Sequence, residues 1–306
     1  MKLTLFIERP GLIVWDSDFQ GLQIEDKKIS LTGFKQFVNE VLEAAEILLS
    51  KELMFDSTRV DVGLSSIQDV MTKPAAHFSF LDPAANGLNN GANEMMQQMR
   101  RMNANDEKQL IGRDGGWNNV KVQKYLYQKK QFLELLMLLF HITGGQPGRG
   151  SELGSIKFRN NQKVKQNFYV LGGKAFYYTE YHKARASSNV SYHVVRYLPR
   201  RVGELAVLYL TYVRPLANLL YNQGLSTMNG FDGHYIFCSD ETNDVPWNGK
   251  QLTDILRRET NMRMGVELGI SLYRHLIIGI TRIHVKKVAG NFEGDNAAIE
   301  KMLMIN

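Results

Sequence analysis

A long apolar segment in the middle of the chain limits the folds that this sequence can adopt. Residues Val120 to Thr143 fit a single helix, and the run from Phe132 to Ile142 within it is almost entirely apolar. A helix that is apolar on most of its sides has to be covered by other elements. The run is too short to cross a bilayer, which takes about 20 apolar residues. The sequence therefore predicts a mostly buried central helix, which the Gly144-Gly145 pair brings to an end.

Shorter patterned segments on both sides of this helix predict an α+β protein. Further helices are expected at Leu31–Leu53, Glu94–Leu110, Val202–Leu220, Trp247–Glu259 and Ile270–Lys287. Short strands are expected at Ser155–Arg159, Phe168–Leu171, Ala175–Tyr181 and His234–Cys238. The pair Gly172-Gly173 between two of these strands indicates a hairpin turn. The predicted fold is mainly α with a small antiparallel β-sheet.

The run Asp114-Gly115-Gly116 interrupts the patterned segments and is the candidate domain boundary. A chain of 306 residues is long enough for two domains of ordinary size. We expect a helical N-terminal domain over residues 1–115 and a second domain over residues 116–306, which carries the sheet.

Positive charge is concentrated in one part of the chain. Between His141 and Arg214 there are twelve Lys and Arg residues and three acids, a formal charge of +9, whereas the whole chain carries +6. Such a concentration suits a surface that binds a polyanion, because neutralising phosphates supplies most of the non-specific affinity for nucleic acid. The alternative is a solvated basic face without a partner.

Several other classes of protein fit the composition poorly. Cys238 is the only cysteine, which excludes an internal disulfide and a cysteine-rich zinc site. The histidines are scattered without zinc-ligand spacing, and no carboxylate cluster indicates a metal pair. The first ten residues lack the apolar core of a secretory signal. We therefore expect an intracellular protein, in the cytosol or the nucleus, with no cofactor, metal or membrane segment.

The residues after the central helix form a candidate phosphate-binding turn. In Gly144-Gly145-Gln146-Pro147-Gly148-Arg149-Gly150-Ser151-Glu152, a glycine-rich turn leads into the start of a helix, where backbone N–H groups are free to bind an anion. Arg149 can fork onto two phosphate oxygens, and Glu152, three residues later, can hold its guanidinium. The spacing fits neither a Walker A loop nor a dinucleotide-binding fingerprint.

Two further segments carry candidate site residues. Lys183 follows the predicted hairpin, where a lysine can reach into a groove and donate a proton, although a lone lysine in a turn is more often an ordinary surface residue. Arg274 and His275 open an apolar helix, a position that suits a site but also suits a satisfied helix terminus.

Taken together, these three segments resemble the tyrosine recombinases. The resemblance is carried by "GGQPGRGSELGSIKFRN", by "FYYTEYHKARASSNVSYHVVRYLPRRVGELAVLYLTYVRPL" and by "SLYRHLIIGITR". These stretches are similar to crypton-type integrase domains of fungal mobile elements and of telomere-linked RecQ-like helicase proteins. The similarity runs from Val120 to Arg282, and more loosely through "ISLTGFKQFVNEVLEAAEILLSKELMF" in the front half.

The resemblance implies a nuclear protein that clamps double-stranded DNA between a helical front domain and a recombinase-like catalytic domain, and that can form homo-oligomers. Arg149 and Arg274 would bind the scissile phosphate and stabilise its transition state. Lys183 would be the general acid for the leaving oxygen, and His275 would support proton transfer or phosphate binding. A supporting set would contact DNA or orient those that do, namely Glu152, Arg159, Lys163, Lys165, Arg185, Arg200 and Arg201.

The sequence departs from the family pattern at two points. Ser271 stands where the family has the leading histidine of its second arginine box, and residues 275–306 contain no tyrosine. The nucleophile and the C-terminal part that carries it are thus not found where the family places them, and strand cleavage by a covalent phosphotyrosine is not expected of this chain. Tyr273, next to Arg274, is not a substitute at its position in the box.

Three explanations of this departure remain open. The chain is a truncated or decayed copy of a mobile-element gene, a DNA-binding module that has lost catalysis, or a protein whose tyrosine comes from another chain. A different class of function also remains open, in which the basic segment contacts an acidic protein partner and its arginines form ordinary ion pairs.

Overall fold

The computed structural model describes residues 13–56, 62–181, 192–224, 233–238 and 245–285. The predicted central helix is confirmed as α3, Asn119–Thr143. The side chain of Asn118 caps its first turn by accepting a hydrogen bond from the N–H of Lys121, and its second half is buried almost continuously. After α3 the backbone turns at Gly145, whose φ of +85° lies in the left-handed region that glycine adopts most easily.

The other helices surround α3 as the apolar pattern requires. They are α1 (Leu31–Ile47), α2 (Gly91–Arg101), α4 (Gly150–Gly154), α5 (Arg200–Leu208), α6 (Arg214–Gly224), α7 (Gly249–Met264) and α8 (Ile270–Ile280). Single π-helical segments extend α1 over Leu48–Leu53, join α5 to α6 over Tyr209–Val213, and extend α8 over Thr281–Val285. Helices α1, α4, α5, α6 and α7 all pack against α3. The predicted helix over Glu94–Leu110 is shorter than expected, because α2 ends at Arg101.

A small sheet precedes α1 and was not predicted. Strands β1 (Ile13–Trp15), β2 (Gly21–Ile24) and β3 (Lys27–Ser30) form an antiparallel sheet in the order β1-β2-β3. The side chain of Ser30 accepts a hydrogen bond from the N–H of Gly33 and caps α1. The front part is therefore not purely helical.

The second sheet lies in the basic part of the chain. Strands β4 (Phe168–Leu171), β5 (Lys174–Tyr181) and β6 (Tyr192–Tyr197) are antiparallel in the order β4-β5-β6. The predicted hairpin between β4 and β5 is confirmed. Its turn residues Gly172 and Gly173 have φ of +59° and +77°, as a two-residue turn with the twist of the strands requires.

Two of the predicted strands are wrong. Ser155–Arg159 and His234–Cys238 run beside each other, but they form only isolated bridges, such as that between Lys157 and Tyr235. Two backbone hydrogen bonds hold them, from Phe158 to His234 and from Ile236 to Ile156. The contact is too short and irregular to make a ladder. The α+β class is therefore correct, with two three-stranded sheets in the described ranges instead of one.

A single apolar core runs through the described residues, from Leu22 in β2 to Ile280 at the end of α8. Leu110 and Val122, which flank the proposed domain boundary, both belong to it. Within the described ranges, no helix has the length and hydropathy needed to cross a membrane.

Candidate functional site

The turn between α3 and α4, residues Gly144 to Gly150, is held closely against its surroundings and is called the glycine turn below. A Cβ atom added to Gly144 would lie 2.6 Å from the carbonyl oxygen of Phe140 and 2.8 Å from the hydroxyl of Tyr177, so only glycine fits there. At the other end, Oε2 of Glu152 accepts a hydrogen bond of 3.0 Å from the backbone N–H of Arg149. The backbone of the turn is thus fixed at both ends.

Arg149 presents a guanidinium that solvent can reach. Its side chain is 48% exposed, and its Nε lies 4.0 Å from Oε1 of Glu152. The sequence predicted that Glu152 holds this guanidinium. At 4.0 Å the ion pair is loose, and the stronger contact of Glu152 is with the backbone of Arg149. Glu152 therefore positions Arg149 mainly through its main chain.

A second arginine, Arg196 of β6, lies behind the glycine turn and was not predicted as a site residue. It is buried, its Nε donates to the carbonyl oxygen of Gln146 at 3.2 Å, and its Nη1 donates to Oγ1 of Thr179 at 2.6 Å. A Cβ at Gly148 would come within 3.5 Å of Nη2. Arg196 thus ties the second sheet to the glycine turn and adds a positive charge beneath it.

Helix α8 is attached to the same turn. The side-chain amide of Gln146 donates a hydrogen bond of 3.1 Å to Oγ1 of Thr281, just after α8. Nearer the start of α8, the ring of Tyr273 packs on the ring of His141 in the last turn of α3, with centroids 5.1 Å apart. Arg274 precedes Thr281 by seven residues, so both lie on one face of the helix.

The electrostatics of His141 also relate Arg274 to this turn. Burial, together with the smaller effect of the charges of Arg274 and Arg196, lowers the pKa of His141 to about 3. Both guanidinium groups are therefore close enough to the same imidazole to disfavour its protonation. Arg274 itself is exposed, so its charge is available at the surface. Among the predicted residues, Arg149 lies six residues after the end of α3, and the packing of Tyr273 on His141 brings the start of α8, with Arg274, to that end.

His275 has a different environment from Arg274. The next residue on a helix is turned by about 100° around the axis, and His275 lines a cleft of about 420 Å³ together with Glu25, Lys27, Arg257 and Glu267. This cleft lies between the first sheet, α7 and the start of α8. In this structure His275 therefore contributes to a cleft of mixed charge on the side of the first sheet.

Lys183 and Arg185 lie outside the described residues. They belong to the connection between β5 and β6, whose last described pair is Tyr181 with Tyr192. Lys163 and Lys165 are exposed in the loop before β4.

The other supporting arginines have partners within the protein. Arg159 donates to the carbonyl oxygen of His77 at 2.6 Å and pairs with Asp82 at 3.1 Å. Arg201 forms two hydrogen bonds to the carboxylate of Glu46, at 2.8 and 2.6 Å, which raise its pKa. Arg200 pairs with Glu204 at 2.7 Å. Arg159 and Arg201 thus join distant segments of the fold.

Tyr273 is inaccessible to any substrate. Its side chain is completely buried, burial raises the pKa of its hydroxyl, and that hydroxyl has no hydrogen-bond partner among the described residues. A nucleophilic tyrosine needs access to the phosphorus atom and a route for its proton. In this structure Tyr273 has neither.

In the part of the chain that the structure describes, no group of three or more His, Cys, Asp or Glu residues is arranged to hold a metal ion. No protein-family model matches the chain, and no solved structure matches it. The resemblance to tyrosine recombinases therefore depends on the sequence motifs alone.

Proposed function

We propose that this chain binds double-stranded DNA through phosphate contacts made by Arg149 and Arg274, and that it does so without cutting the DNA. The observation that carries the proposal is the attachment of α8 to the glycine turn. The hydrogen bond from Gln146 to Thr281 joins two segments that are 135 residues apart in the sequence. It places the helix that bears Arg274 against the turn that bears Arg149.

The kinds of residue at this place suit phosphate binding. Arginine keeps its charge at any physiological pH and presents a planar set of donors that fits phosphate oxygens. Arg149 and Arg274 are accessible, whereas Arg196 is buried and supports the turn from behind. The exposed Lys163 and Lys165 would extend the contacts along the DNA backbone. Such contacts position a protein on DNA without reading its sequence.

The proposal excludes cleavage by this chain for two reasons. Residues 275–306 contain no tyrosine, and Tyr273 is buried. The matching motifs favour a tyrosine-recombinase origin, such as a crypton-type integrase domain, and a nuclear location. That origin remains part of the proposal.

The test is a fluorescence-anisotropy titration of labelled duplex DNA with the wild-type protein and with the double variant Arg149→Ala, Arg274→Ala. We expect the wild type to bind at low salt and the double variant to bind at least about tenfold more weakly, since each charge-assisted phosphate contact contributes about 1 kcal/mol or more. The loss should be the same on DNA duplexes of unrelated sequence.

A matched control removes two positive charges elsewhere. Arg100 and Arg101 are exposed at the end of α2, and the variant Arg100→Ala, Arg101→Ala should keep most of the affinity. An equal loss in both double variants would mean that only net charge matters and would contradict the proposed site. Circular dichroism of each variant establishes that it is folded.

A denaturing gel run beside the titration tests the second half of the proposal. We expect no covalent protein–DNA adduct with a nicked duplex, and an adduct would overturn the claim of binding without cleavage. If the wild type fails to bind DNA at low salt, the alternative of an acidic protein partner for the basic segment replaces the proposal.

A further inference from the structure

Two histidines from distant parts of the sequence meet at the surface, away from the glycine turn. Nε2 of His234 lies 3.4 Å from Nδ1 of His77, and the ring centroids are 5.4 Å apart with an interplanar angle of 33°. His77 is exposed and His234 is half-buried. Solvent and small ions can therefore reach the pair.

The separation of the two nitrogens is informative. The 3.4 Å contact is a long hydrogen bond, beyond the range of about 2.7–3.2 Å that is usual for an N–H···O bond. Two ligands of a tetrahedral zinc ion, each about 2.0–2.1 Å from the metal, are about 3.3 Å apart. The observed 3.4 Å is close to this ligand–ligand distance. The distance between the nitrogens already suits a shared ion, and the rings have to turn so that both lone pairs converge on it.

The backbone around both histidines is held by one segment, Phe158–Asn160. The N–H of His77 donates to the carbonyl oxygen of Asn160 at 3.1 Å, and the N–H of Phe158 donates to that of His234 at 3.1 Å. Arg159 also donates to the carbonyl oxygen of His77 at 2.6 Å. His77 has a φ of +63°, which is uncommon for a residue with a side chain. The pair is thus set in position before any ligand binds, which lowers the cost of binding.

We infer that His77 and His234 form a binding site for one divalent transition-metal ion, with Zn²⁺ and Cu²⁺ as the ions of matching chemistry. Neutral imidazole nitrogens suit these ions, whereas Mg²⁺ and Ca²⁺ prefer oxygen ligands. Within the described ranges these two histidines are the protein ligands, and water would take the coordination positions that the protein leaves open. The bound ion would link the segment around His77 to the segment around His234, 157 residues later.

Charged groups near the two histidines determine how tightly a metal ion is expected to bind. The ammonium of Lys157 lies 4.6 Å from the ring of Tyr235, next to His234, and that of Lys73 lies 4.4 Å from the ring of Phe78, next to His77. These charges and that of Arg159 oppose a cation, while Asp82 balances Arg159. Two ligands in basic surroundings make a moderate site, and copper should bind more tightly than zinc.

The test is isothermal titration of the full chain, freed of metal by chelator, with ZnCl₂. We expect one Zn²⁺ per chain, and binding weakened at least about tenfold in His77→Ala and in His234→Ala, because removing either ligand destroys the chelate. His193→Ala is the matched control, since His193 is exposed on β6, and it should bind like the wild type. Equal affinity in all four proteins would overturn the inference.

A measurement on the unmodified protein keeps the test valid if a variant fails to fold. The electron paramagnetic resonance spectrum of the wild type with one equivalent of Cu²⁺ should show coupling to two equatorial nitrogens. Coupling to a single nitrogen, or a spectrum of aqueous copper, would contradict the paired site. Neither experiment involves DNA, so its outcome is independent of the proposed DNA binding.

Discussion

His141 shows how a single residue can respond to the charges of the candidate site. It is almost fully buried, and neither ring nitrogen has a hydrogen-bond partner among the described residues. Burial, with Arg274 and Arg196 nearby, lowers its pKa from 6.5 to about 3. The folded protein therefore keeps this imidazole neutral where the unfolded chain would protonate it.

This difference predicts a loss of stability in mild acid. Between pH 6.5 and about 3 the unfolded chain binds more protons at His141 than the folded protein, so the free energy of unfolding falls as the pH falls. Lowering the pH from 7 to 5 should cost about 2 kcal/mol through this group. Urea unfolding of the wild type and of His141→Phe at both pH values measures this loss of unfolding free energy.

The phenylalanine variant keeps an aromatic ring against Tyr273 but cannot titrate. Its loss of stability between pH 7 and 5 should be smaller than that of the wild type by about 2 kcal/mol. A pH dependence of His141→Phe equal to that of the wild type would show that another group is responsible.

Helix α4 depends on two glycines that allow close packing. A Cβ at Gly154 would lie 1.8 Å from the carbonyl oxygen of Trp247, and a Cβ at Gly150 would lie 2.5 Å from the Cα of Gly249. This short helix therefore packs backbone to backbone against the start of α7. The contact fixes the element that follows Arg149, and so it affects the geometry of the glycine turn.

The same contact offers a matched pair of substitutions. Gly154→Ala should destabilise the protein by about 2 kcal/mol or more, because the helix has to move away from Trp247. Gly249→Ala, on the opposite side of the contact, places its Cβ 3.7 Å from the nearest atom and should change stability by less than about 0.5 kcal/mol. Urea denaturation compares the two variants, and equal losses would refute the packing argument.

At the level of elements, helices with strong local sequence signals were predictable, and the pairing of short strands was not. The central helix was expected from Val120 and begins at Asn119, because its apolar pattern and the glycines after it are strong signals. Strands β1 to β3 have three or four residues each, too few for a clear alternation. Strand β6 was also missed, although it pairs along most of β5.

The residues of the candidate site also differ in whether the local sequence indicates them. The glycine turn and Arg149 follow from local sequence, since glycines and the helix start lie within a few residues. Arg196 gives no local signal, because its contacts depend on the pairing of β6 with β5 and on Gln146, 50 residues away. The pair of His77 and His234 could not be predicted from local sequence either, because 157 positions separate the two residues.

At the scale of the whole molecule, the basic segment is less available than its formal charge suggests. Of its cations, Arg159, Arg196, Arg201 and Arg214 donate hydrogen bonds within the protein. Arg214, for example, donates to the carbonyl oxygens of Tyr235 and Gly233. The charge counted from the sequence therefore overestimates the number of cations that are available to a polyanionic partner.

The salt dependence of DNA binding measures how many contacts form. With about five phosphate contacts, the log–log slope of affinity against salt should be about −4. In Arg149→Ala, Arg274→Ala the slope should become shallower by about 2, since each arginine neutralises one phosphate. An affinity loss with an unchanged slope would mean that these arginines act through the fold and not through phosphate.

The first sheet contacts the last described helix. The ring of Trp15 packs on that of His284 with centroids 5.4 Å apart, and His284 forms a hydrogen bond of 2.9 Å with the carbonyl oxygen of Phe19, 265 residues earlier. During synthesis the ribosome therefore makes one side of this contact long before the other. The apolar residues of the first sheet that pack against this helix stay uncovered until α8 has left the exit tunnel. This contact can therefore form only at a late stage of translation or afterwards.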